Sequence, residues 1–159
     1  MCNFSKSMLL ALVTLVASPA FGQSGGGSSF APGFGVADSS SSVTTRVSGP
    51  GVNYTGTVGA SASADNSPGG VNSSTTTGGV GAGSGTGLTV VSTNQDQSFV
   101  KGPNSVSVGV STLTATQTVN GQTYPVAVDV GTAFSRATPF GSSATTSAFG
   151  VGAPSLRLH

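Results

Sequence analysis

Residues 111–130, STLTATQTVNGQTYPVAVDV, set two alternating runs on either side of Asn120-Gly121. An Asn-Gly pair between alternating segments is the strongest local signal for a two-residue β-hairpin, because both residues of a type I′ turn need positive φ. Such a turn sets a register. Val119 faces Gln122, Gln117 faces Tyr124, Ala115 faces Val126, Leu113 faces Val128 and Ser111 faces Val130. One face of the ribbon then carries Leu113, Ala115, Val119, Tyr124, Val126, Val128 and Val130. The other carries Thr112, Thr114, Thr116, Thr118 and Thr123, with Ala127 and Asp129. A period-2 division of this kind predicts one buried face and one wet face. Pro125 faces Thr116 at a non-hydrogen-bonded position, so its missing N–H would have pointed away from this partner. That predicts a sheet edge along the second strand near Pro125.

The rest of the chain agrees with β-structure. It has no Glu and is dense in Gly and β-branched residues, which helices disfavour. The expected fold is all-β: a small antiparallel sheet or sandwich built on the 111–130 hairpin, with long Gly/Ser-rich flexible segments. Much of the apolar content is Ala and Val, which bury little surface each, so the core is expected to be thin.

Residues 1–22 have the layout of a secretory signal peptide. Lys6 precedes the apolar run Met8–Ala17, and Ala20 and Gly22 place small residues ahead of cleavage before Gln23. The run is too short for an ordinary membrane span, so no transmembrane segment is expected after cleavage. The lone cysteine, Cys2, precedes the run, and the mature chain is expected to have no disulfide. Loss of Lys6 leaves basic and acidic residues equal in number. A neutral chain has little electrostatic barrier to association, and without a basic patch nucleic acid is not expected as a partner.

Residues 23–42 read as a flexible Gly/Ser arm in which Phe30 and Phe34 are exceptions. Residues 43–135 are expected to form the β-rich domain. Within it Val43–Val47 is a strand candidate, Gly49-Pro50-Gly51 a turn, and Val52–Ala64 an alternating strand. Residues 65–87 form a Gly/Ser/Thr-rich loop or part of a glycine-rich β-array. Leu88–Ser92 and Phe99-Val100 read as short strands around a turn at Asn94–Asp96. Val106, Val108 and Val110 alternate in the phase opposite to Leu113 and Ala115, which predicts a β-bulge within Gly109–Thr112. Residues 136–159 read as a tail or weak edge strand.

Little in the chain suggests catalysis. His159 is the only histidine and is the terminal residue, so a Ser-His-Asp or Cys-His site is not expected. No cofactor or metal is expected, since zinc needs clusters of His, Cys or carboxylate. Asp96 with Asn94, or Asp65 with Asn66, are the nearest approach to a calcium site. Val126–Ala133, VAVDVGTA, resembles the Asp-Thr-Gly loop of aspartic proteases, which pair two such aspartates. Here Val130 replaces the hydroxyl residue that follows the aspartate, and Asp129 is read as an outward residue of the Thr face.

Two functional classes remain. The first is a secreted, non-enzymatic structural protein, a subunit or accessory component of an extracellular fibre, matrix or surface layer, with itself or another extracellular protein as partner. Neutrality, an exposed edge and segments such as 106–110 and 126–130 support it, since uncharged β-prone strands favour pairing with other chains. The second is a secreted binding module, either a donor-strand partner or a binder of polysaccharide or ice. Thr112, Thr114, Thr116 and Thr118 form a T-x-T-x-T-x-T row that resembles the Thr arrays of ice-binding proteins.

Overall fold

The computed structural model describes residues 20–21, 25–49 and 51–153. They form antiparallel strands and no helix: β1 (Ala20–Phe21), β2 (Gly25–Pro32), β3 (Gly35–Gly49), β4 (Val52–Ser67), β5 (Gly70–Gly85), β6 (Leu88–Lys101), β7 (Asn104–Val119), β8 (Gln122–Thr138) and β9 (Gly141–Gly152). The larger sheet runs β6-β7-β8-β9, and both β2 and β1 pair with β9 beyond it. The smaller sheet is β3-β4-β5. From β2 onward the chain passes up and down through neighbouring positions. The two sheets pack face to face, β3 over β9, β4 over β8 and β5 over β7. No described helix is long and apolar enough to cross a membrane. The expected cleavage point follows Gly22, and the segment ahead of Ala20 lies outside the described residues.

The hairpin is present as β7 and β8. Asn120 (φ 51°) and Gly121 (φ 79°) both have positive φ, as a type I′ turn requires. The register follows the turn from Val119↔Gln122 to Thr116↔Pro125 and then shifts. Val126 is an extra residue, so Ala115 faces Ala127, Leu113 faces Asp129 and Ser111 faces Gly131. The bulge sits beside Pro125, which has no N–H to give the ladder, so the interruption costs few bonds there. Beyond it every side chain changes face. Ala127 and Asp129 are buried, whereas Val128 and Val130 point outward and are half-buried. This corrects the expected apolar face.

No bulge occurs within Gly109–Thr112. β7 alternates without a break, with Ser105, Ser107, Gly109, Ser111, Leu113, Ala115 and Gln117 inside. Val106, Val108 and Val110 therefore lie on the outer face. The physical reason is sheet spacing. At this end of the sandwich the facing residues are small and the sheets come close enough for hydroxyls to bond across the gap. Ser73 Oγ lies 2.7 Å from Ser105 Oγ, and Ser135 Oγ donates to Ser74 O at 3.0 Å. A valine pointing inward would not fit. The interior thus has two halves. One holds Val43, Val47, Val52, Tyr54, Val58, Leu113 and Val126, while the other holds only alanines among its apolar residues, Ala37, Ala60, Ala62, Ala133 and Ala144.

The segments expected to be flexible are strands. The 23–42 arm supplies β2 and the first half of β3, and residues 65–87, open between a loop and a glycine-rich β-array, take the second form as the end of β4 and all of β5. The turn expected at Asn94–Asp96 lies inside β6. Gly25 and Gly27 let β2 lie against β3, since a Cβ at Gly27 would stand 2.8 Å from Ser39 Oγ and 3.3 Å from Ser40 O. Where β5 meets β6, side chains replace ladder bonds. Ser92 Oγ donates to Gly79 O at 3.0 Å, and Asn94 Nδ2 to Thr77 O at 2.6 Å. Asp96 accepts from Thr77 N and Thr77 Oγ1. The 136–159 tail supplies the end of β8 and the whole of β9, an inner strand with β8 on one side and β1 and β2 on the other. Consequently β8 is an edge only over Gln122–Pro125, and the rest of it is covered by β9.

Candidate functional site

The outer face of the larger sheet is the candidate site. Alternation brings even-numbered residues of β7 and β8 and odd-numbered residues of β6 and β9 to it. Thr112, Thr114, Thr116 and Thr118 all lie there, half-buried to exposed, and Thr123 joins them beside Thr118. The row widens onto β6, where Thr93 pairs with Thr112 and Thr89 with Thr116. Several hydroxyls bond one another: Thr112 Oγ1 donates to Thr93 Oγ1 at 3.2 Å, and Thr118 and Thr123 are 3.0 Å apart.

The Thr array occupies only one end. Toward the other the face becomes apolar. Val108, Val110, Phe134, Phe99 and Phe30 are each more than a third exposed, the last at 71%, while Phe149 lies within the Thr array, in the row Thr93–Thr112–Val130–Phe149. Cross-strand pairing draws them into rows: Phe99–Val106–Arg136 and Val108–Phe134. Sequence reasoning missed this patch by assigning 106, 108 and 110 to the interior. Its signal was the Ser105, Ser107, Gly109 alternation, which supplies the residues small enough for closely spaced sheets.

The outer face of the smaller sheet is of opposite character. Cross-strand rows read Asp38–Ser63–Ser74, Ser40–Ser61–Thr76, Ser42–Gly59–Gly78 and Thr44–Thr57–Val80. A hollow of about 310 Å³ opens there among Asp38, Ser40, Ser61, Ser63, Ser74 and Thr76.

Between the sheets lies a buried polar group that sequence reasoning placed in solvent. Asp129 on β8 points inward. Its Oδ1 accepts from Thr45 Oγ1 of β3, and its Oδ2 accepts from Tyr54 Oη of β4 at 3.2 Å. Gly56 and Gly150 make the room, since a Cβ at Gly150 would stand 2.2 Å from Asp129 Oδ1. Burial pushes the Asp129 carboxyl above the usual carboxylate range, against the two hydrogen bonds, which favour the anion. Burial first, and then the adjacent carboxylate, push the Tyr54 phenol up as well. The cluster ties three strands of both sheets together but is sealed from solvent, so it is a structural linchpin. Asn94 and Asp96, considered above for calcium, are engaged with Thr77, and no cluster of three or more His, Cys, Asp or Glu that could hold a metal occurs among the described residues.

No protein-family model, curated protein or solved structure matches this chain.

Proposed function

We propose that this protein is a secreted, non-enzymatic structural subunit of an extracellular assembly, a fibre, matrix or surface layer, and that it associates through the outer face of its larger sheet. The observation that carries this reading is the inversion at one end of the sandwich. Serine and alanine fill the interior, while Val106, Val108, Val110 and Phe134 stand outside. Contiguous exposed apolar surface of this kind marks interaction sites in soluble proteins. The reading moves the contact from a strand edge to a sheet face, because β9 covers most of β8. Export rests on the signal-like segment 1–22.

The test is the behaviour of residues 23–159, purified and examined by sedimentation velocity and electron microscopy. Oligomers whose size grows with concentration are expected. A monomer at every concentration would overturn the reading.

A second reading, a binding module for polysaccharide or ice, is favoured by the width of the Thr array across β6, β7 and β8. Thr114→Val with Thr116→Val would abolish ligand or ice-crystal shaping in that case, and would leave assembly through the Val/Phe end intact.

A further inference from the structure

We propose that copies of this chain stack front to back in one orientation, the outer face of the larger sheet of one copy resting on the outer face of the smaller sheet of the next. This rests on the assembly reading and specifies its partner surface.

Charge carries the argument. Alternation places Lys101 and Arg136 on the outer face of the larger sheet, Arg136 in the row with Phe99 and Val106. The other outer face bears Asp38, paired with Ser63, and Asp65, paired with Val36 and Asn72. Both pairs sit at the same end of the sandwich. Ser135 Oγ reaches Ser74 O through the interior, and Ser142 Oγ reaches Gly35 O at 2.9 Å, so the Arg136 level lies directly behind the Asp38 level. Among the described residues none of these four charges makes an ion pair within the chain. Translating one copy along the sheet normal therefore brings Arg136 of β8 toward Asp65 of β4 and Asp38 of β3, while Lys101, on β6 beside the footprint of the three-stranded sheet, adds positive charge at the same end. Arg46, the remaining described cation, is at the far end of the smaller sheet, opposite the neutral Thr114 and Val128 region of such a neighbour.

Shape agrees. The hollow beside Asp38 and Ser74 lies at the level of Phe134, a residue 42% exposed on the opposite face. A front-to-back neighbour presents this ring and the Arg136 side chain to that hollow. With strands ~4.8 Å apart rising ~3.3 Å per residue, the three strands of the smaller sheet over the fifteen residues of β3 offer roughly 700 Å², and this smaller face sets the contact. A standard interface uses about 800 Å² per partner, and this face comes close to that size. Contact between two different faces does not close on itself, so growth is open-ended, whereas two larger sheets packed face to face would stop at a dimer.

The experiment uses two double variants of the mature chain. Asp38→Lys with Asp65→Lys makes both faces basic, and Lys101→Asp with Arg136→Asp makes both acidic. Each alone should fail to stack, and an equimolar mixture should recover open-ended assembly, read by sedimentation and electron microscopy, with circular dichroism confirming that both fold. Assembly of either variant alone, or a closed dimer of the basic variant, overturns the front-to-back arrangement while leaving the assembly reading standing. Should a variant not fold, wild type decides: raising salt from ~0.01 M to ~1 M shortens the screening length from ~30 Å to ~3 Å and should shorten the stacks. Salt-insensitive stacks overturn the proposal. A wild-type chain that stays monomeric removes the assembly reading itself.

Discussion

Tyr54 donates its phenolic hydrogen to Asp129 Oδ2 at 3.2 Å, joining β4 to β8 through the middle of the sandwich. The bond crosses from one sheet to the other, and Thr45 completes it from β3. It replaces apolar packing at a level where Gly56 and Gly150 offer no side chain. A buried carboxyl surrounded by neutral donors links the fold to pH.

The direction of that linkage follows from Asp129. Its folded carboxyl lies above the unfolded value of about 3.9. Below both values the group is protonated in either state and costs nothing. As pH rises past the unfolded value, the unfolded chain releases its proton while the folded chain retains it, and stability falls until the folded carboxyl itself ionises. Thermal unfolding should therefore occur at a higher temperature near pH 4 than near pH 7. Asp129→Asn should flatten that slope, because it removes the titrating group. A wild-type midpoint that rises across this range would contradict the assignment.

Hydroxyls in the close-packed half divide into bonded and unbonded ones. Ser111 Oγ is buried without a partner, whereas Ser135 Oγ donates to Ser74 O at 3.0 Å. An unmet buried hydroxyl costs about 1–3 kcal/mol, and a met one contributes about 0.5–1.5 kcal/mol. Ser111→Ala should leave stability unchanged or raise it by about 1 kcal/mol, and Ser135→Ala should lower it by a similar amount. Denaturant midpoints of the two variants measure the contrast. Equal losses would mean the two hydroxyls are equally engaged.

Parts of this fold are plain in the residues. Asn120-Gly121 announces its turn, and Val52 to Ala64 alternates against polar neighbours strongly enough to mark β4 and its inner face. β2 and β5 are not legible in the same way. Gly25–Ser29 and Asn72–Gly79 show little contrast between successive residues, so no face declares itself, and strand character comes from pairing along β9 and β4. The phase of 105–111 misleads for a related reason. The inward residues are smaller and more polar than the outward ones, and only the narrow gap between the sheets decides the matter. The bulge at Val126 is hidden because Val126 and Ala127 are both apolar and both buried. The candidate Thr row was legible as a period-2 pattern, while the Val/Phe patch beside it depends on that inverted phase.

The turn makes a direct demand on Gly121. Its φ is 79°, and a Cβ there would meet no atom within 4 Å, so any cost of substitution is conformational and not steric crowding by neighbours. Gly121→Val should lower stability by about 1 kcal/mol or more, because a β-branched residue resists positive φ. Asn120→Gly should be tolerated, since glycine adopts the φ of 51° found there without a steric penalty. Thermal melts of the two variants give the comparison, and an unchanged midpoint for Gly121→Val would argue against a type I′ turn.

The register shift at Val126 reverses the roles of two adjacent residues. Ala127 is 2% exposed and packs in the apolar half with Val43 and Leu113, while Val128 stands on the outer face between Thr114 and Val151. A lysine at 127 would bury an unpaired charge, so Ala127→Lys should prevent folding. A lysine at 128 keeps its ammonium in water, and Val128→Lys should fold with a near-native circular dichroism spectrum. On the assembly reading that second variant should associate less well than wild type, since it sets a hydrated charge in the stacking face. Had the hairpin kept the register of its turn throughout, the outcomes would exchange: Ala127→Lys would fold and Val128→Lys would not. Expression of the two proteins side by side, followed by spectroscopy and sedimentation, therefore tests the bulge and the assembly face in one comparison.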